Sequence, residues 1–303
     1  MTLVGWFRER FPLTVAAVLL PVYLVVLISG RELTHPGAST LRPGDAAGFL
    51  GVWAFFLMVR IIDDHKDYAD DLVRHPDRML QRGAVTPARL KVLAAAAVLV
   101  QAGVVLRADD GAGRIGLWWL LTMGWVALAA RDFFLGPRIG AHPVLYPVLH
   151  LPLSGLVGLW IAQLGAGSRA LPAAAGVLAG LGIVVAGVVD LTRKLIPAEG
   201  AGRSYTEALG ARRAAAFAAL AIVILTLVLE ALLHHRPDPA PPGTAPALVL
   251  LAIGPLLLIL RFALAPVPVQ ARRARPARAG LALIVPVQLT VSAAALLHVT
   301  GRS

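Results

Sequence analysis

Apolar residues in this chain come in long unbroken runs, not in the alternating or one-faced patterns of a soluble fold. Nine such runs, near residues 12–30, 45–62, 90–107, 114–131, 143–165, 171–190, 212–233, 245–264 and 279–299, predict nine transmembrane helices. A helix needs about 20 apolar residues to cross a bilayer. Polar positions gather between the runs. On one side the connections are short and carry the Gly and Pro of turns: "RADDGAG", "GAGSRA" and "HHRPDPAPPGT". On the other side two are longer, roughly 63–89 and 191–211, and hold most of the polar residues. No segment reads as a separate soluble domain, so residues 1–303 are expected to form a single integral-membrane, all-α bundle. The first run follows the basic start "FRERF", is too long for a signal-peptide core and lacks an obvious cleavage site, which predicts a retained helix.

Composition fits that pattern. Hydrophobic residues make up 58% and charged residues 15%, against roughly one quarter charged in soluble proteins. Cysteine is absent, which rules out disulfides and thiolate metal sites. The net charge of +11 would suit nucleic acid, but its distribution points elsewhere. With the N-terminus inside, 21 of the 28 Lys and Arg fall on the inner side, as the positive-inside rule requires. The basicity therefore reads as topology and anionic-lipid contact in a cell inner or plasma membrane, with no nucleic-acid partner. The inner loop "APVPVQARRARPAR" has no carboxylate and reads as a cytoplasmic anchor.

One inner loop carries candidate chemistry. "RIIDDHKDYADDLVRHPDRMLQRG", residues 60–83, places six carboxylates between Asp63 and Asp77. If the second helix continues past Arg60, then Arg60, Asp64, Asp67 and Asp71 fall within an arc of roughly 60°, with Asp63 and Asp70 on a neighbouring face. Like charges so spaced repel one another unless a cation sits between them. A hard divalent ion such as Mg²⁺ suits them, since it is commonly shared between one or two carboxylates and a substrate phosphate. Arg74, Arg78 and Arg82 follow, and arginine suits bidentate phosphate binding. A solvated boundary loop would explain the mixed charge, but not the one-face spacing at a helix end.

The stretch "DDHKDYADDLVRHPDRMLQRG" resembles the first aspartate-rich motif of the UbiA superfamily of intramembrane prenyltransferases. That motif reads Asn-Asp-x-x-Asp-x-x-x-Asp, followed by a Lys-Pro-Asp-Arg-Pro-like stretch. Asp63 stands at the Asn position, Asp64, Asp67 and Asp71 at the aspartates, and "HPDRM" at the following stretch. The resemblance implies nine helices around a central, lipid-accessible cavity, with motif loops after the second and sixth helices. The family's second motif is Asp-x-x-x-Asp; here "VVDLTRKLIPAEGAGRSYTEALG" keeps Asp190 but has Lys194 at the second carboxylate. The pair is open to two readings: a helix-surface ion pair, or a metal contact by Asp190 with Lys194, and Arg193 beside it, on phosphate oxygens. A family Tyr-x-x-x-Lys element is matched by Tyr146 with His150 four residues on. His150 serves equally as an interhelical hydrogen bonder.

What the resemblance implies is a Mg²⁺-dependent prenyltransferase that ionises an isoprenyl diphosphate and passes the prenyl group to an unknown acceptor. Asp64, Asp67, Asp71 and Asp190 would hold the metal, and Arg60, Arg74, Arg78, Arg193, Lys194 and Tyr146 the diphosphate. Two rivals stand beside it: a UbiA-type terpene cyclase, and a non-catalytic lipid-binding or transport protein, which Lys194 favours. Glu230, His234 and His235 read as interfacial residues, and Gln101, Gln163 and Gln288 as interhelical hydrogen bonders.

Overall fold

A computed structural model describes residues 2–136, 145–195, 204–234, 240–264 and 274–298. The described residues form helices and turns, with no strand among them. Among the described residues, long helices overlap the predicted runs: α2 (Thr14–Thr34), α3 (Pro43–Lys66), α5 (Pro87–Ala108), α6 (Arg114–Ala129), α7 (Leu145–Ala166), α8 (Gly176–Leu195), α10 (Ala211–His234), α11 (Thr244–Leu264) and α12 (Ala274–His298). Seven are long and apolar enough to cross a membrane. Helix α6 has only 16 residues, and the described apolar stretch of α12, Leu281–Leu297, is also short. Three short helices complete the set: α1 (Thr2–Arg10), α4 (Tyr68–Arg74) and α9 (Tyr205–Leu209).

Helix α6 stops early for a local reason. Asp132, Phe133 and Phe134 follow it in a 3₁₀ turn with φ of 48°, 53° and 58°. For residues with a Cβ, this left-handed region costs roughly 1–2 kcal/mol each. Phe133 is held there by edge-on packing against Trp125 and His150, both with centroids 5.6 Å away.

Helices α2 and α7 form the spine. Helix α7 also packs on α6 and α8, and α2 on α12, while α8, α10, α11 and α12 close a ring back to α2. Helices α3 and α5 pack together on the other side. The spine is built on glycine. Gly30 of α2 lies against the Ala162 carbonyl, and Gly165 of α7 against the Leu27 carbonyl, so closely that a Cβ at either position would overlap it. Small residues let membrane helices approach backbone to backbone, where dispersion replaces the hydrophobic effect that lipid does not supply. Beside this seam Arg31, 1% exposed, donates from Nη2 to Asp45 at 2.5 Å and from Nη1 to the Thr40 carbonyl at 2.5 Å. Asp45 also accepts the Arg42 backbone N–H that opens α3, where Pro43 gives up no helical donor.

Helix α3 sets the position of the acidic loop. Its buried residues Gly48, Gly51, Val52, Phe55, Met58 and Ile61 recur every three or four positions, and Asp64 is the next in that stripe. The helix does not run unbroken through Asp71. It ends at Lys66, Asp67 sits in the junction at φ −88° and ψ 7°, and α4 begins at Tyr68. Backbone bonds of the helical spacing still cross the junction, Asp67 to Asp63 at 2.9 Å and Asp71 to Asp67 at 2.8 Å.

Replacing Gly165 by Val should lower the melting temperature in detergent, since overpacking a filled contact costs about 1–3 kcal/mol. Gly103, a helical glycine with open space at its Cβ position, is the control. Gly103→Ala should hold or raise stability, by up to about 1 kcal/mol. Equal melting temperatures for the two variants would remove the seam as a determinant of the fold.

Candidate functional site

The polar residues at the ends of α3 and α8 form two ionic clusters. The first centres on Asp64, 2% exposed. Its Oδ1 accepts Arg10 Nε at 3.0 Å and Nη2 at 2.6 Å, together with Nε and Nη2 of Arg60. Its Oδ2 accepts the Trp6 indole N–H at 3.0 Å. A carboxylate leaves water only when its charge is matched and its lone pairs are filled; here two guanidiniums and an indole do both. Asp71, also buried, accepts Arg78 Nη1 at 2.5 Å, and Arg10 Nη2 lies 4.0 Å from the same Oδ2. Arg10 thus stands between the two motif carboxylates.

Asp67 is placed differently. It is exposed, and among the described residues it forms no ion pair. Although the residue reaches the surface, crowding by neighbouring groups strips part of its hydration, and this chiefly raises its pKa above the usual carboxylate value. The charges of Asp71 and Asp132 add to the rise, while Lys66 and Arg60 oppose it. Lys66 itself pairs with Asp132 at 2.5 Å. Arg74 and Asp70 meet at 3.9 Å with side chains 66% and 75% exposed, a geometry worth little in water. Arg74 therefore faces solvent rather than the Asp64 cluster.

The second cluster surrounds Asp190. Tyr205 donates its hydroxyl to Oδ2 at 2.5 Å, and Lys194 Nζ lies 2.8 Å from Oδ1 with Arg193 at 3.4 Å. The Lys194 ammonium also sits 5.6 Å from the Tyr205 ring centroid. Burial, then the bond to Asp190 and its charge, push the Tyr205 pKa up, so the phenol keeps its proton and remains a donor. Tyr205 is held by a capping box at the start of α9: Ser204 Oγ accepts the Glu207 N–H at 3.2 Å, and Glu207 Oε2 accepts the Ser204 N–H at 2.8 Å.

The structure thus gathers Arg60, Asp64, Asp71 and Arg78 into one group, and Asp190, Arg193 and Lys194 into another. Tyr146 lies outside the residues whose side chains are described. Among the described residues no three Asp, Glu or His converge as a metal-binding group. Arg10, Trp6 and Tyr205 are site residues that the sequence pattern did not single out. Arg10 lies in the basic start "FRERF" and Tyr205 in "SYTEALG", but nothing in either stretch pointed to a partner across the fold.

No family model matches the chain, and no curated protein matches it either. Among solved structures it is similar to the protein reported under "Structural and mechanistic insights into the biosynthesis of Digeranylgeranylglyceryl phosphate synthase in membranes". The TM-score is 0.61 at 13% identity, over 98% of this chain and 99% of that one. Over essentially its whole length the chain shares the fold of that protein.

Proposed function

We propose that this protein is an intramembrane prenyltransferase that ionises an isoprenyl diphosphate and transfers the prenyl group to an acceptor. The observation that carries the reading is the pairing of carboxylates with arginines at the inner end of α3, in a chain with a membrane synthase's fold. An apolar tail and a diphosphate need adjoining environments, one of lipid-like walls and one of fixed cations. The end of a transmembrane helix that breaks into a charged loop supplies both.

Of the motif carboxylates, Asp67 is the one a divalent cation would meet without an ion pair; Asp71 would have to share its charge with Arg78, which holds its Oδ2. Asp67 forms no ion pair among the described residues, and Asp71 and Asp63 stand one turn to either side. The expectation that Asp64 and Asp190 also serve as ligands meets a difficulty, because cationic side chains already fill them. When bound, Mg²⁺ supplies neutralisation of the charge that develops on the leaving diphosphate. The chain's own residues do the rest. Arg78, Arg60, Lys194 and Arg193 offer guanidinium and ammonium donors to diphosphate oxygens, an electrostatic arrangement set before the allylic C–O bond breaks. Tyr205 holds Asp190 in place, and through it Lys194.

A second reading has one observation in its favour. Ion pairs this complete, Asp190 with Lys194 above all, are also what a lipid-binding protein without turnover would keep. Purified protein given prenyl diphosphates and Mg²⁺, read for diphosphate release, decides between them; no release with any chain length would favour the non-catalytic reading.

Asp67→Ala should lower diphosphate release by about 100-fold or more, the usual loss on removing an electrostatic stabiliser. It should leave the melting temperature unchanged, because Asp67 has no ion pair to lose. Activity that survives at ordinary Mg²⁺ would exclude Asp67 from the metal.

Lys194→Ala should weaken inorganic diphosphate binding, and Lys194→Arg should restore it in part, since a planar fork replaces a point charge. A surface ion pair alone would instead lose about 0.5 kcal/mol of stability and leave affinity untouched.

Both ionic clusters are proposed to face the cytoplasm. The chain has no cysteine, so Arg74→Cys and Ala112→Cys can be labelled in intact cells without background. Cysteine at 112 should react with an impermeant maleimide from outside and cysteine at 74 should not. The reverse result would invert the topology.

A further inference from the structure

Asp64 is the residue where the family resemblance and this structure part. The resemblance assigns it to the metal, yet its surroundings leave a metal no place. Both oxygens are taken, Oδ1 by Arg10 and Arg60 and Oδ2 by Trp6, and the residue is 2% exposed.

Two of the three donors come from α1, and α1 is docked as a structural element. Trp6 is fully buried and Phe11 nearly so, against Ile61, Leu80, Val85 and Leu90 in a small core separate from the main one. Gly5 leaves room for Met79, whose Sδ would lie 2.6 Å from a Cβ there. Glu9 accepts the Met79 backbone N–H at 3.3 Å. These contacts fix the helix, and Asp64 fixes the arginine at its end. Arg10 uses Nε and Nη2 on Asp64, and its Nη2 lies 4.0 Å from Asp71. Three guanidiniums, of Arg10, Arg60 and Arg78, pair with Asp64 and Asp71 here, and Arg60 also acts on Asp63 and Asp67.

We propose that Asp64 is a positioning residue rather than a metal ligand: it anchors α1 to the bundle and aims Arg10 and Arg60 at the diphosphate, making Arg10 a substrate-binding residue contributed by the N-terminal helix. This rests on the diphosphate reading above. A guanidinium held on two N–H groups keeps its remaining N–H groups for a phosphate oxygen, and loses little entropy when it binds. A diphosphate would therefore meet cations already ordered, beside Asp67, the motif carboxylate that forms no ion pair among the described residues.

The test uses full-length protein in detergent with two probes, Mn²⁺ read by electron paramagnetic resonance and inorganic diphosphate read by calorimetry in EDTA. Asp64→Asn should keep its Mn²⁺ affinity within about twofold of wild type, as expected for a site it does not share. The same variant should release α1, so that trypsin cuts after Arg8 and Arg10 faster than in wild type. Asp67→Asn should lose Mn²⁺ binding. Arg10→Ala should weaken diphosphate by about tenfold, the loss of one charge-assisted bond, and Arg10→Lys should recover part of it. Asp64→Asn losing Mn²⁺ as fully as Asp67→Asn would overturn the proposal, as would Arg10→Ala with unchanged diphosphate affinity. If Asp64→Asn does not fold, Arg10→Ala decides the first point as well. A carboxylate shared between arginine and metal would bind Mn²⁺ more tightly once the arginine is gone, whereas an anchor would leave that affinity unchanged. Wild-type protein that binds neither probe would sink the diphosphate reading itself, a result distinct from all of these.

Discussion

A carboxylate on the inward stripe of a membrane helix has two ways to exist: give up its charge, or be met by cations that are themselves held in place. Asp64 takes the second. Everything around the C-terminal end of α3 follows from that constraint. The helix breaks at Asp67 just beyond it, α1 folds back to deliver Trp6 and Arg10, and Arg60 reaches it from one turn earlier. The cost of burying an ion is several kcal/mol after relaxation, so neither the α1 docking nor the Arg60 pairing is optional ornament. Asp190 repeats the arrangement on α8 with an ammonium and a phenol.

Both clusters are built from partners distant in sequence as well as near. Arg60 and Lys194 lie four residues from their aspartates, a spacing any helix provides. Arg10 and Tyr205 are 54 and 15 residues from theirs, and only the tertiary fold brings them in. At the opposite end of the bundle Arg31 and Asp45 do comparable work. They tie α2, the start of α3 and the α7 terminus at Gly165, where the Arg31 Nε reaches the backbone carbonyl at 3.4 Å.

The long apolar runs made the helices legible from sequence, because in lipid a run of that length has little else to become. Their ends were less so. The reading that carried one helix from Arg60 through Asp71 missed the junction at Asp67, since nothing in "DDHKDYADD" breaks a helix by propensity. Helix α6 ends before Asp132 through the packing of Phe133, which a single sequence does not disclose. The acids themselves were plain, but which of them would be neutralised from within was not. Spacing along one helix shows which carboxylates share a face; it says nothing of an arginine arriving from a different one. That is why Arg10, Trp6 and Tyr205 went unread while Asp64, Asp71, Arg78 and Asp190 did not.

The glycine contact between α2 and α7 has a mechanical consequence. Backbone contact at Gly30 and Gly165, with Leu27, Ile28, Trp160 and Ile161 buried beside it, leaves the distance between these two helices no slack. Helices α3 and α5 lie on one side of that seam, and α8, α10 and α11 on the other. The Asp64 cluster belongs to the first leaf and the Asp190 cluster to the second. The seam is thus the shared support of both leaves, and a side chain added at Gly30 or Gly165 would press on the two helices that carry them.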